Sequence, residues 1–115
     1  MKDSELQKSK AFIIVDIIDY VPNSVVIKTI LKKTTGNVTA VSIDSGEVMT
    51  ETISPFDTLI QVIDGIAEIL INGQSNTIET GGAIIIPAHS RNTLKARVRF
   101  KMITTLIKSG YEELS

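Results

Sequence analysis

The feature that most constrains the fold is a series of short runs rich in Ile, Val and Thr, each ended by turn-forming residues. β-Branched side chains have few rotamers and pack well on a pleated surface, so these runs predict strands. We find no helix-length segment with apolar residues at 3.6-residue spacing, which argues against an α/β architecture. The predicted strands are Ala11–Ile18, Ser24–Lys33, Val38–Asp44, Val48–Ile53, Thr58–Asp64, Ala67–Ile71, Ser75–Glu79, Ala83–Ile86, Asn92–Ala96 and Phe100–Ile107.

Pairs of turn-forming residues separate these runs. Asn72-Gly73 is the strongest pair, because a two-residue type I′ hairpin turn needs positive φ at both central positions. Asp64-Gly65 and Gly81-Gly82 are predicted as further breaks between strands. Many short strands at near-regular spacing are typical of a sandwich or a barrel. We therefore predict an all-β fold.

Length and composition restrict the organisation and the function. The 115 residues fit one domain, and we expect a barrel over residues 11–108, a flexible lead-in over 1–10 and a loose tail over 109–115. The chain has no cysteine, which excludes a disulfide framework, a thiolate metal site and a cysteine nucleophile.

Charge and hydropathy exclude further classes. Twelve basic and thirteen acidic residues give a net charge of −1, whereas a nucleic-acid binder is usually basic. Met1–Lys10 is polar and has no apolar signal-peptide core. The apolar runs fall well short of the ~20 residues that span a bilayer. We therefore expect a cytoplasmic protein that binds neither nucleic acid nor a membrane.

Glycine and proline spacing gives a more specific indication. Gly46 and Gly65 bracket one segment, Gly81 and Pro87 open a second, and Asn72-Gly73 lies between them. In these positions the chain resembles the two motifs of the cupin superfamily. The first motif is Gly, five residues, His-x-His, three or four residues, Glu, six residues, Gly. The second is Gly, five residues, Pro-x-Gly, two residues, His. The resemblance covers residues 24–107 and implies a single-domain double-stranded β-helix, or jelly-roll barrel, with a pocket where the motifs meet.

The ligand positions of the motifs are all changed. Thr52 and Ser54 stand at the two His positions of the first motif, Thr58 at its Glu position, and Asn92 at the His of the second. Neutral hydroxyls and an amide do not offset the loss of metal hydration as imidazole or carboxylate does. We therefore predict a barrel without metal or cofactor. The predicted pocket residues are Thr52, Ser54, Thr58 and Asn92, with Met49 and Met102.

Two interpretations of this polar wall remain open. It hydrogen-bonds a small neutral polar ligand, or its members bond one another, the backbone or trapped water. A metal-independent enzyme with isomerase-like or epimerase-like acid/base chemistry is the alternative, and His89, Asp57 and Glu51 would be its proton carriers. Against that role, His89 is expected to be a turn residue and Glu51 an outward-facing one, whereas Asp57 could face either way.

The remaining expectations concern surfaces. Many cupins of this size pair, and the apolar run Phe12-Ile13-Ile14-Val15 would be an exposed strand unless it were paired or covered. We therefore expect a homodimer, and a structural dimerisation module is a third functional hypothesis. Basic side chains alternate with apolar ones near the end of the chain and predict the solvated face of strands. They are Lys95, Arg97, Arg99 and Lys101.

Overall fold

The computed structural model of the protein describes residues 5–51 and 53–108, without the side chain of Glu51. The predicted loose tail at 109–115 lies outside these residues. A short 3₁₀ helix covers Ile14–Asp16. Eight strands follow in the described ranges: β1 Val25–Lys33, β2 Gly36–Ile43, β3 Val48–Glu51, β4 Thr58–Ile71, β5 Gln74–Glu79, β6 Ala83–Ile86, β7 Asn92–Lys95 and β8 Phe100–Ile107.

These strands form two antiparallel sheets that share β4. Sheet A has the order β1-β2-β8-β4-β6 and uses residues 58–65 of β4. Sheet B has the order β3-β7-β4-β5 and uses residues 66–71 of β4. The predicted all-β jelly-roll barrel is confirmed, since the two sheets pack face to face on one core.

The shared strand bends at Gly65. Its φ is +80°, a left-handed conformation that glycine adopts without strain, and the register shifts by a bulge between Val62 and Asp64. A Cβ at this position would overlap the carbonyl oxygen of Arg99. The prediction that Asp64-Gly65 separates two strands is therefore wrong. The same glycine conformation that allows a turn here produces a bulge inside one long strand.

The predicted hairpin at Asn72-Gly73 is confirmed. β4 ends at Ile71 and β5 begins at Gln74, so two residues connect them. Asn72 has φ +51° and Gly73 has φ +86°, as a type I′ turn requires. The turn fixes the β4–β5 register, in which Ile71 pairs with Gln74.

The inward faces of both sheets form the main core of the barrel. Its members are apolar without exception and come from sheet A and from sheet B alike. Buried area of this kind is the dominant stabilising contribution to a fold of this size. The core consists of Val41, Ile43, Ile60, Val62, Ala67, Ile69, Ile78, Ile86, Leu94, Ala96, Phe100 and Met102.

The N-terminal segment, defined here as residues 5–20, packs on the outer face of sheet A. Ile18 is buried there against Ile30, Ala40 and Ile103. The predicted strand Ala11–Ile18 is therefore wrong, because these residues form a 3₁₀ turn and non-strand connections instead. Packing of a few apolar side chains against an existing sheet overrides their β propensity.

Side chains of sheet A bond to the backbone of this segment. The Ser42 hydroxyl donates to the Asp19 carbonyl oxygen at 2.8 Å, and the Lys101 ammonium donates to the Val15 carbonyl oxygen at 2.7 Å. Lys101 is only 8% exposed, so the prediction that its strand face is solvated is wrong at this position. The N-terminal segment covers Lys101, whereas Lys95, Arg97 and Arg99 are exposed as predicted.

Tyr20 completes the attachment at the C-terminal end of the segment. Its hydroxyl donates to Asp64 Oδ2 at 2.6 Å, and the Arg99 guanidinium carbon lies 4.2 Å from its ring centre, a cation–π distance. Burial raises the pKa of the Tyr20 hydroxyl, and its hydrogen bond to the Asp64 carboxylate raises it further. The hydroxyl is therefore held in its neutral, donating form.

Glu5 and Leu6, within the predicted lead-in, bond to the edge of β1. The Leu6 amide donates to the Ile30 carbonyl oxygen at 3.1 Å, and the Lys32 amide donates to Glu5 Oε2 at 2.6 Å. This hydrogen bond lowers the pKa of the Glu5 carboxyl. Part of an edge strand is thus covered, which blocks pairing with another chain at this point.

Candidate functional site at the open end of the barrel

The register of β7 places Asn92 on the inner wall. Asn92 and Leu94 alternate with the more exposed Thr93 and Lys95, and Asn92 is only 5% exposed. In sheet B the backbone of Asn92 pairs with Ile71 on one side and with Glu51 on the other. Asn92 therefore lies at the end of the inner wall, one step beyond the apolar core.

Thr58 occupies the corresponding place in sheet A. It begins β4, on the same face as the buried residues Ile60 and Val62, and is itself half-buried. Its register partner on β6 is Ile86, a core residue. Thr58 thus lies at the rim of the core, as Asn92 does in sheet B.

Two connections bring these rims to the same end of the barrel. The described residues 53–57 precede β4 on the side of β3, and the loop of residues 87–91 joins β6 to β7. The His89 amide donates to the Ser54 carbonyl oxygen at 2.6 Å, and the Ala88 amide donates to Asp57 Oδ1 at 2.7 Å. Both motifs therefore meet at one end of the barrel, which is called the opening below.

The proton-carrier candidates are placed on these connections. His89 is exposed with φ +67°, the turn conformation expected for it as the alternative to catalysis. Asp57 is exposed and accepts the Ala88 amide. Glu51 pairs by backbone with Asn92, and its side chain lies outside the described part. Neither described candidate lies on the inner wall.

The other predicted pocket residues have different environments. Ser54 is half-buried, and its hydroxyl accepts the Phe56 amide at 3.1 Å within a local turn. Met102 is fully buried inside the core, and Met49 packs against that core opposite Leu94. Thr52 lies outside the described residues. Thr58 and Asn92 are thus the predicted polar residues placed at the inner wall.

The side chain of Asn92 has an unmet hydrogen-bonding requirement. Its Oδ1 is buried and accepts no hydrogen bond from any described residue. Leaving a buried acceptor unpaired costs about 1–3 kcal/mol, and native structures rarely tolerate this. The atom therefore has a strong tendency to bind a donor from a ligand or from water.

The residues of the opening do not fit the metal that cupin motifs imply. Thr58 and Asn92 supply a hydroxyl and an amide, and transition metals prefer imidazole, thiolate or carboxylate ligands. Among the described side chains, we find no group of three or more His, Asp or Glu residues placed to hold a metal ion. The described helical residues likewise include no helix long and apolar enough to cross a membrane.

Sequence reasoning missed three threonines that share the inner face with Thr58. Thr29, Thr39 and Thr104 form one row across β1, β2 and β8, and all three are half-buried. Alternation within each strand marks two possible faces. The long-range strand register selects one of them, and a single sequence does not provide that register.

Comparisons with known proteins agree with this architecture. No protein-family model matches the sequence, and no curated protein does. A conserved protein of unknown function from Streptococcus pyogenes matches with a TM-score of 0.85 and 22% identity, over 94% of this chain and 96% of the other. A cupin superfamily protein from Desulfitobacterium hafniense matches with a TM-score of 0.83 and 20% identity, over 93% of this chain and 98% of the other.

A third solved structure is a Cupin 2 conserved barrel domain protein from Leptotrichia buccalis. It matches with a TM-score of 0.79 and 25% identity, over 82% of this chain and 46% of the other. The motif glycines, the jelly-roll topology and these structural matches agree, and the chain is a cupin-fold protein.

Proposed function

We propose that the protein is a metal-free cupin that binds a small neutral polar molecule and does not catalyse a reaction on it. The observation that carries the proposal is the buried Oδ1 of Asn92, which accepts no hydrogen bond from the described residues, at the end of the barrel where the half-buried Thr58 also lies. An amide offers two donors and one acceptor group, and each hydroxyl offers one donor and two lone pairs. Such a set recognises hydroxyl and amide groups of a ligand.

The placement of the charged groups supports a binding role over acid/base catalysis. A general acid or base must come within hydrogen-bonding reach of the reacting atom. His89 and Asp57 are exposed on the two connecting loops, and Asp57 holds a backbone amide. The lack of cysteine fits work in a reducing compartment, and we place the protein in the cytoplasm.

The metal-free state is tested by elemental analysis of tag-free protein. We expect Fe, Mn, Ni, Cu and Zn each well below one ion per chain, because hydroxyl and amide groups bind these ions weakly. The double variant Thr58→Glu/Asn92→His restores two ligand types and serves as a positive control. A near-stoichiometric ion in the wild type, lost in Asn92→Leu, would contradict the proposal.

Ligand binding is tested by a thermal-melt screen of sugars, polyols, sugar acids and small amides. We expect at least one neutral compound to raise the melting temperature of the wild type and not that of Asn92→Leu. The variant should fold normally, because leucine removes an acceptor that has no partner in the described part of the chain. Thr93→Val is the matched control, since Thr93 lies on the opposite face of β7. If every compound stabilises both proteins equally, the site is wrong.

We also propose that the protein pairs with itself through the N-terminal segment. Phe12, Ile13 and Ile14 are exposed there, Ile13 by 67%, and adjacent exposed apolar side chains are typical of interfaces. Light scattering should give twice the mass of 12.5 kDa at micromolar concentration. Ile13→Glu should shift the mass toward the monomer, and Ile66→Glu, on the outside of sheet B, should not. A monomeric wild type would contradict pairing.

A further inference from the structure

We infer that the threonine row of sheet A, defined as Thr29, Thr39 and Thr104, forms the second wall of the binding site and selects a polyhydroxylated ligand the size of a monosaccharide. The inference rests on the proposed function and narrows it from neutral polar molecules to polyols. Three properties of the row carry it, namely its register, its accessibility and its unused hydroxyl groups.

Strand register places the row directly across sheet A. Thr29 pairs with Thr39, Thr39 pairs with Thr104, and Thr104 pairs with Ile60. Directly paired residues of antiparallel strands present their side chains on the same face. Ile60 is a core residue two positions after Thr58, so the row lies on the inner face, one step inward from Thr58.

The exposed fractions of the threonines and of their inward neighbours show where a ligand could reach the row. Each threonine is half-buried, although β2 and β8 are interior strands of the sheet. In the next inward row, Val41 on β2 and Met102 on β8 are at most 2% exposed, whereas Ile27 on the edge strand β1 is 58% exposed. The interior is therefore closed below Thr39 and Thr104, while these two threonines remain partly accessible at their own level.

The hydroxyl groups of the row are unused by the protein. None of the three donates or accepts a hydrogen bond with another described residue, and neither does the Thr58 hydroxyl. Asn92 Oδ1, which is buried and has no partner among the described residues, adds an acceptor on the inner wall of sheet B. A purely apolar ligand would displace water from these groups and leave them unpaired.

The chemistry of threonine indicates the class of ligand. Strands lie about 4.8 Å apart, which is close to the spacing of two hydroxyl groups that flank one carbon of a sugar ring, so one monosaccharide can engage two neighbouring members of the row. Each threonine also presents a methyl group, and a polyol likewise alternates C–H and O–H groups along its length. A single hydroxyl-bearing compound would use one member of the row, whereas a polyol uses several.

The test is an NMR titration of ¹⁵N-labelled protein with D-xylose, D-glucose and myo-inositol, and with cyclohexanol as a hydroxyl-poor probe. Thr39→Val and Thr104→Val remove a hydroxyl while keeping the side-chain shape. Each should weaken binding of the best polyol about tenfold, the effect of one lost hydrogen bond, and leave cyclohexanol unchanged. Thr104→Ser should keep most of the affinity. Thr105→Val, on the outer face of β8, is the matched control.

The outcomes separate this inference from the proposed function. If Asn92→Leu abolishes polyol binding and both valine variants bind within twofold of wild type, the row has no role and the proposed function stands. If wild type binds amides in the melt screen but none of the three polyols, the ligand class is wrong. If nothing binds to wild type, both proposals fail. An unchanged ¹⁵N spectrum outside the barrel opening confirms that each variant is folded.

Discussion

The two faces of sheet A are packed in different ways. On the inner face, Phe100 and Met102 belong to a core built only of apolar side chains from both sheets. On the outer face, the buried apolar cluster is smaller; the N-terminal segment contributes the buried Ile18 to it, and its half-buried Leu6 and Ile17 pack alongside. Directed bonds supplement it, among them those of Lys101 and Tyr20. The same strands thus hold the inner layer by apolar packing alone and the outer layer by apolar packing together with directed hydrogen bonds.

Because of this difference, the inner face determines the stability of the barrel, and the outer face determines how firmly the N-terminal segment is attached to it. Apolar burial is non-directional and scales with area, so losses on the inner face are shared by the whole barrel. Hydrogen bonds each contribute about 1 kcal/mol and depend on position, so losses on the outer face release the N-terminal segment first. Small units with few buried contacts open locally without global unfolding.

The largest expected effect is on the inner face. Phe100→Ala should lower the free energy of unfolding by about 3–5 kcal/mol, the usual cost of a cavity left by phenylalanine. Urea denaturation followed by circular dichroism and by tyrosine fluorescence should give one coincident, shifted transition. A loss below about 1 kcal/mol, or two separate transitions, would show that the inner core is not one cooperative unit.

A smaller and more local effect is expected for Ile18→Ala. The truncation should cost about 2 kcal/mol, and amide exchange over the N-terminal segment should accelerate more than exchange in β8. Ile78→Ala, a similarly buried isoleucine of the main core, is the matched control and should accelerate exchange throughout the barrel. Equal acceleration everywhere in Ile18→Ala would mean that the outer layer folds and unfolds with the barrel.

Tyr20→Phe isolates one directed bond. It removes the donor to Asp64 and keeps the ring beneath Arg99, so the free energy of segment attachment should fall by about 1–2 kcal/mol. Exchange at the amides of residues 15–20 is the measurement. No change there would show that the ring contact alone holds the segment.

The smallest expected effect is a dependence of the attachment of the N-terminal segment on pH. Tyr20 has its pKa raised from the usual 10.0 by burial, so its contribution is complete below pH 10 and declines as the pH rises above that value. Glu5 has its pKa lowered from 4.5 by the Lys32 amide, so its contribution is complete above pH 4.5 and declines in acid. The segment should loosen at both extremes, as judged by proteolysis at matched protease activity. A loosening confined to neutral pH would contradict both assignments.

Local sequence patterns predicted much of the fold. Alternating β-branched runs and the Asn72-Gly73 pair are short-range signals, and the strands and hairpin form where they indicate. The bulge at Gly65 and the course of residues 11–18 were not predicted, because each depends on what the rest of the barrel presents to it. The motif spacing led to Thr58 and Asn92. The threonine row became visible once long-range register had assigned faces.

The bend at Gly65 has a consequence for affinity. Because one continuous strand runs from sheet A into sheet B, the two walls of the opening are joined through a hydrogen-bonded backbone instead of a connecting loop. The loops that complete the opening are also bonded to each other through the His89 amide. The candidate site is therefore preorganised, and a ligand of the proposed kind would lose little of its binding energy to ordering the protein.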